Sequence, residues 1–130
     1  MKLETFLTIA AILAIAFGVG FLFMPALMLT QYGIVATPGS AIMARFFGVT
    51  ILNLGLVLFL ARRVIELPTR TGIVRGSLIG AVLGLLVAIH GQRNGSVNAL
   101  GWSSVAVYAF LVAGYAYFAF AKPSDGAVNR

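Results

Sequence analysis

The sequence predicts an all-α polytopic membrane protein, with four transmembrane helices in one compact bundle. Two observations predict this fold class. Hydrophobic residues make up 61% of the 130 residues and charged residues only 9%, and residues 5–44 contain no charged side chain at all. A water-soluble domain needs a far more strongly charged surface. We therefore expect the chain to lie in a lipid bilayer, in contact with membrane lipids.

Four segments are long and apolar enough to cross about 30 Å of hydrocarbon, which takes roughly 20 helical residues. Along the chain these spans are 5–24, 41–61, 72–89 and 99–121. Backbone groups inside a bilayer must form hydrogen bonds within their own segment, so we expect each span to be helical. The first span is longer than the apolar part of a signal peptide, and we expect it to be retained. Together the spans predict a single transmembrane domain over residues 1–130.

A short helix over residues 25–31 is predicted between the first two spans. Pro25 fits the first turn of a helix, because its missing N–H would have no helical partner there, and Gly33 can end the helix. The alternative is a proline kink inside a longer first helix, but we favour the break. We expect Ser40 to be the N-cap of the second span.

The basic residues predict the orientation of the chain, because Lys and Arg in short loops favour the cytoplasmic side. Only Arg45 and Arg93 fall on one side of the four spans. We therefore expect both termini to be cytoplasmic, in a bacterial cytoplasmic (inner) membrane. The net charge of +6 is then an orientation signal, and we expect no nucleic acid partner. The basic residues on the other side are Lys2, Arg62, Arg63, Arg70, Arg75, Lys122 and Arg130.

The third span carries a row of small residues spaced by four. Its members are Gly72, Gly76, Gly80 and Gly84, and Ala88 continues it. Small residues at this spacing let two helices approach closely in lipid, where helix association depends on packing. Two interpretations stay open: the row closes the four-helix bundle, or it contacts another subunit in a homo-oligomer or a larger membrane complex. Shorter rows occur in the first two spans, at Ala10, Ala14 and Gly18 and at Ala44 and Gly48.

Arg45 is a charged residue near the outer edge of the second span. A charge at this depth is costly and points by default to a function. The three acidic residues, Glu4, Glu66 and Asp125, map to the opposite side of the membrane. We therefore expect Arg45 to be neutralised by a lipid headgroup, a ligand, a partner protein or groups of its own chain, namely backbone carbonyls, Gln31, Tyr32 and Asn98.

Three further polar residues are candidates for contact with a ligand or headgroup. His90 and Arg93 end the third span on the same side as Arg45, and together they would form a basic site for an anion. The alternative is that Arg93 is a solvated loop charge and His90 an interfacial side chain. We expect Asn53, in the middle of the second span, to form a hydrogen bond across the bundle; a role in a transport path is the alternative.

Several chemistries have no support in the sequence. The chain has no cysteine, which excludes disulfides and thiol redox chemistry, and a single histidine without a ligand cluster predicts no metal site. No nucleophile–base pair, paired carboxylates or phosphate-binding loop is visible. We therefore expect neither an enzyme nor a cofactor. Small multidrug transporters are also four-helix chains, but they depend on a glutamate inside the first span, and Glu4 lies only at its start.

Pro25 is followed by Tyr32–Gly33, and the second span opens with Ala44–Arg45–Phe46–Phe47–Gly48. Gly55 and the closing Ala61–Arg62–Arg63 continue the pattern. In this layout the chain resembles the DoxX-like families of small four-helix bacterial membrane proteins. The resemblance implies a membrane-embedded bundle, and it implies no established activity.

From the sequence we expect a non-enzymatic membrane protein that acts as an accessory or interaction subunit through helix packing. The alternative is a small binding or transport protein for a lipid-like or anionic molecule, with an outer-leaflet site around Arg45.

Overall fold

The computed structural model describes residues 1–121, which form five helices and no strand. Four of the helices are long and apolar enough to cross a membrane, which confirms the all-α prediction and the predicted number of long apolar helices. Lys122, Asp125 and Arg130, which entered the predicted charge distribution, lie outside the described residues. In chain order the helices are α1 (Leu3–Phe23), α2 (Pro25–Gln31), α3 (Pro38–Ala61), α4 (Leu67–Arg93) and α5 (Gly101–Phe120).

The predicted break after the first span is confirmed. The backbone leaves the helical conformation at Met24, with φ −129° and ψ 54°, and α2 begins at Pro25. Beyond α2, Gly33 has φ +75°, a conformation that favours glycine because it has no Cβ. The short helix therefore ends as predicted, and the chain turns back toward α3.

The prediction that Ser40 caps the second span is wrong. The helix begins earlier, at Pro38, and Thr37 is its N-cap. The Thr37 Oγ1 accepts a hydrogen bond from the Ser40 backbone N–H at 3.1 Å, and the Thr37 N–H donates to the Ser40 Oγ at 2.8 Å. This reciprocal pair is a capping box with serine at the third position, and Pro38 fits the first helical turn.

The helices α1 and α3 pack as a close pair, with glycine at each point of approach. A Cβ built on Gly18 would lie 2.6 Å from the Leu52 backbone nitrogen, and one on Gly48 would lie 2.6 Å from the Leu22 nitrogen. A Cβ on Gly48 would also lie 2.9 Å from the Gly18 carbonyl oxygen. The backbones are therefore too close for any side chain there, and the shorter small-residue rows of the first two spans do serve packing within the chain.

The helices α4 and α5 form the second close pair, where a Cβ on Gly84 would overlap the ring of Tyr108.

We call the two ends of the helix bundle the Glu4 end and the Tyr32 end. At the Glu4 end, the Arg63 Nε lies 3.4 Å from a Glu4 carboxylate oxygen, so the start of α1 and the end of α3 lie on one side. Both side chains are exposed, and such a pair contributes little to stability.

Phe6 joins the two helix pairs near the Glu4 end. It is only 1% exposed, and its ring packs edge-on against Tyr115 of α5 at 4.9 Å between centroids. A Cβ on Gly114 would overlap the same ring. Phe6 therefore occupies a recess in α5. The core around it contains Leu3, Leu7, Ala10, Ala11, Leu58, Val74 and Ala81.

Candidate functional site

The outer face of α4 carries three glycines that no other part of the described chain covers. A Cβ built on Gly72, Gly76 or Gly80 would meet nothing within 4 Å, and all three residues are exposed. The interpretation that this row closes the bundle is therefore wrong for these three members. The face that they form remains open.

Helix geometry explains why the row divides. Four residues advance a helix by slightly more than one turn, so each step of four rotates the position by about 40°. From Gly72 to Ala88 the row turns through about 160°, so its first members lie outward and its last members lie inward. Gly84 accordingly packs against Tyr108, and Ala88 is half-buried.

Large apolar side chains flank the open glycines. At 3.6 residues per turn, Ile79, Leu83 and Val87 lie on the same side of α4 as Gly72 and Gly76. Their exposed fractions are 63%, 58% and 71%. We call these residues together with Gly72, Gly76 and Gly80 the α4 glycine face. The glycines form a shallow groove beside a ridge of branched side chains, which is the shape that a second transmembrane helix can pack against.

Glycine inside a helix lowers stability by about 0.5–1 kcal/mol relative to alanine. At Gly18 and Gly48 the close approach of α1 and α3 requires it. At Gly72, Gly76 and Gly80 no contact among residues 1–121 requires it. The three open glycines therefore weaken the isolated chain without serving its own packing.

Arg45 lies on α3 seven residues after Pro38, about 10 Å along the helix. Its side chain is exposed. It borders an open depression of about 240 Å³, whose other lining residues are Pro38, Ala41 and Ile42. The two carboxylates in the described part of the chain, Glu4 and Glu66, interact elsewhere, with Arg63 and with Thr69.

The structure does not bring the other two basic candidates to Arg45. His90 and Arg93 are exposed at the end of α4, and a ring nitrogen of His90 lies 3.1 Å from the Asn94 side-chain nitrogen. The depression at Arg45 is lined by α3 alone. Within residues 1–121, no hydrogen bond or ion pair joins His90 or Arg93 to Arg45.

The expectation that Asn53 forms a hydrogen bond across the bundle is wrong. Its side chain is exposed, because α3 turns Gly48, Gly55 and Leu58 toward its neighbours and Asn53 away from them. In the described part of the chain, none of the side-chain hydrogen bonds includes the Asn53 amide. A polar amide therefore lies on an outward face in the middle of a membrane span.

Sequence reasoning missed the role of Asn98, which it considered only as a contact for Arg45. Asn98 joins the two helix pairs at the Tyr32 end. Its side-chain amide donates to the Gln31 carbonyl at 2.9 Å, and its backbone N–H donates to the Tyr32 carbonyl at 3.0 Å. Its side-chain oxygen accepts from Leu100 N–H, and its carbonyl accepts from Gln92. No local sequence signal pairs positions this far apart.

The aromatic residues at the end of α5 divide between the two sides of the helix. Tyr115 is buried and Phe118 half-buried against Phe6, whereas Tyr117 and Phe120 are exposed. An open apolar groove of about 280 Å³ follows the seam between α1 and α5, lined by Met1, Phe6, Phe110, Ala113, Gly114, Tyr117 and Phe118.

Residues 1–121 contain no group of three His, Asp or Glu side chains placed to hold a metal ion. No protein-family model, curated protein or solved structure matches this chain.

Proposed function

We propose that this protein is a non-enzymatic membrane subunit that binds a transmembrane helix of a partner protein along the α4 glycine face. The observation that carries the proposal is the open space over Gly72, Gly76 and Gly80. In lipid, two helices associate through close packing and interhelical hydrogen bonds, because lipid tails are as apolar as leucine. The shallow groove over the glycines therefore forms contacts only with a helix that approaches it closely.

The partner chemistry follows from the shape and charge of this face. Its members carry no hydrogen-bonding side chain, and the exposed Arg75 borders it only at the end where Gly72 and Gly76 lie. The fitting partner is therefore an apolar helix with its own small residues at the contact. A lipid tail can cover Ile79, Leu83 and Val87 equally well, but it does not need glycine beneath it. The glycines distinguish a helix from a lipid as the occupant.

We further propose that the protein lies in a bacterial cytoplasmic membrane, with both termini inside. The charges support this orientation. Lys2 and the Arg62–Arg63 pair lie at the Glu4 end, whereas the Tyr32 end carries Arg45, His90 and Arg93. The resemblance to DoxX-like proteins agrees with a bacterial membrane bundle and adds no activity.

Substitutions at Gly76 test the proposed function. Gly76→Leu places a branched side chain among the open glycines, so we expect the partner complex to be lost while the melting temperature of the isolated chain does not fall. Gly76→Ala should raise the stability of the isolated chain by about 0.5–1 kcal/mol. Native mass spectrometry of gently solubilised membranes and thermal unfolding in detergent measure the two effects.

The matched control is Gly39→Leu, which adds the same side chain on α3, where the nearest atom is 3.9 Å from the built Cβ. It should leave the partner complex intact. If the double variant Gly76→Leu, Gly80→Leu keeps the same assembly as the natural chain, the glycine face does not bind a helix and the proposal fails.

A second candidate function is the binding of a lipid-like or anionic molecule at Arg45. The exposed guanidinium beside an open depression that Pro38, Ala41 and Ile42 also line supports it, because a phosphate can meet the guanidinium while an acyl chain covers Ile42. The planar fork of arginine can grip a phosphate through two hydrogen bonds.

Arg45→Leu is expected to reduce the amount of anionic phospholipid that stays bound in native mass spectra. The melting temperature should change little, because within residues 1–121 the Arg45 side chain forms no hydrogen bond or ion pair. Arg45→Lys should restore binding only partly, since lysine lacks the bidentate fork. Equal retention of phosphatidylglycerol by Arg45→Leu and the natural chain would exclude a lipid site at this position.

A further inference from the structure

The outward face of α3 carries a second row of residues, separate from the α4 glycine face. Its members are spaced alternately by four and by three residues, and all of them are exposed. This is the spacing of the a and d positions of a heptad, which meet along the seam between two parallel helices. The row, which we call the α3 seam, consists of Ile42, Phe46, Val49, Asn53, Leu56 and Leu60.

Apolar members alone would say little, because any lipid-facing helix surface is apolar. Asn53 is the informative member. Its amide has two donor hydrogens and an acceptor oxygen, it lies at mid-span, and it is exposed. Hydrocarbon offers no hydrogen-bond partner, so leaving this amide toward lipid is unfavourable.

We propose that two copies of this chain associate along the α3 seam, with the two Asn53 amides hydrogen-bonded to each other. Copies inserted in the same orientation have parallel α3 helices, which puts both Asn53 side chains at the same depth. An amide is complementary to a second amide, since each carbonyl can accept from the other –NH₂ group. A two-fold axis satisfies both residues by one contact.

The position of Asn53 within the heptad supports a second copy over an unrelated partner. One set of heptad positions contains Phe46, Asn53 and Leu60. The other set contains Ile42, Val49 and Leu56. Asn53 precedes Leu56 by three residues, which assigns it to an a position. In coiled coils a single asparagine at an a position specifies register and oligomeric state, and two identical parallel helices place one asparagine opposite the other.

The α3 seam is available without rearrangement of the chain. The face of α3 that packs on α1 contains Gly48 and Gly55, on the opposite side of the helix from Asn53. Arg45 lies about 80° around the helix from Asn53, so it remains at the rim of the pair and can reach headgroups. This inference is independent of the α4 glycine face, and either can fail without the other.

The test uses purified protein in vesicles of phosphatidylethanolamine and phosphatidylglycerol, where a copy of the same chain is the sole available protein partner. The chain has no cysteine, so single cysteines report directly on contact. Oxidative cross-linking should be efficient for Val49→Cys and Leu56→Cys, which lie on the seam. It should be weak for Leu54→Cys, which is exposed on α3 but off the seam. Equal yields at all three positions would overturn the proposal.

Asn53→Leu tests the amide itself. An interhelical hydrogen bond in lipid contributes about 0.6–1.4 kcal/mol, which corresponds to a dissociation constant raised about 3- to 10-fold. Asn53→Gln should keep part of the affinity. Energy transfer between labelled copies, titrated against lipid, gives the constant, and the melting temperature of the diluted monomer should not change. An unchanged dissociation constant in Asn53→Leu would refute the paired amides.

Discussion

Replacing Gly48 with leucine is expected to separate α1 from α3 and to unfold the protein at a much lower temperature. A Cβ at this position would lie 2.6 Å from the Leu22 nitrogen and 2.9 Å from the Gly18 carbonyl oxygen. These neighbours are backbone atoms, which cannot rotate away as the end of a side chain can. We expect a loss of about 3 kcal/mol or more in the free energy of unfolding.

The control for Gly48→Leu is Gly76→Leu, because it makes the same chemical change where nothing lies within 4 Å. Thermal unfolding followed by circular dichroism in one detergent compares the two variants. We expect a large drop in melting temperature for Gly48→Leu and almost none for Gly76→Leu. Equal melting temperatures would mean that α1 and α3 do not meet through glycine.

Phe6→Ala is expected to loosen the contact between the two helix pairs. The ring is 1% exposed and packs against Phe110, Tyr115 and Phe118 of α5. Removing a buried phenylalanine from a soluble core costs about 3–5 kcal/mol. In lipid the exposed surfaces are covered by acyl chains rather than by water, so we expect a smaller loss of about 2–3 kcal/mol.

Phe23→Ala is the matched control, since Phe23 is 71% exposed at the end of α1. The melting temperature of the Phe23→Ala variant should stay close to that of the natural chain. In the Phe6→Ala variant the close α1–α3 and α4–α5 pairs should survive. We therefore expect a lower melting temperature but little loss of helical content below it. Similar melting temperatures for Phe6→Ala and Phe23→Ala would contradict the role of Phe6 as the link.

The number of spans and the break at Pro25 could be predicted from sequence because length, hydropathy and proline act locally. The direction in which each residue of a helix faces could not be predicted from the sequence. A transmembrane helix is apolar on all sides, so periodicity gives little information on its rotation. Asn53 was expected to face inward on the general rule that membrane proteins satisfy polar groups internally, yet the glycines of α3 orient it outward.

The α4 row shows a related limit. Glycines spaced by four are recognisable, but the sequence does not show which members of the row face α5. The structure shows contact at Gly84 and open space at Gly76, because each step of four residues rotates the position by about 40° around α4. The contact of Asn98 with Gln31 depends on two chain segments distant in sequence, and no local pattern predicts such a pair.

Site-specific photo-cross-linking along α4 in native membranes tests the central claim most directly. A photoreactive amino acid at Leu83 or Val87, on the open face, should give one cross-linked product of discrete mass with another membrane protein. The same probe at Ile12, exposed on α1, should not give it, and Gly76→Leu should abolish it at both α4 positions. Labelling of lipid alone at Leu83 and Val87, or an equal product from Ile12, would contradict a helix-binding function for α4.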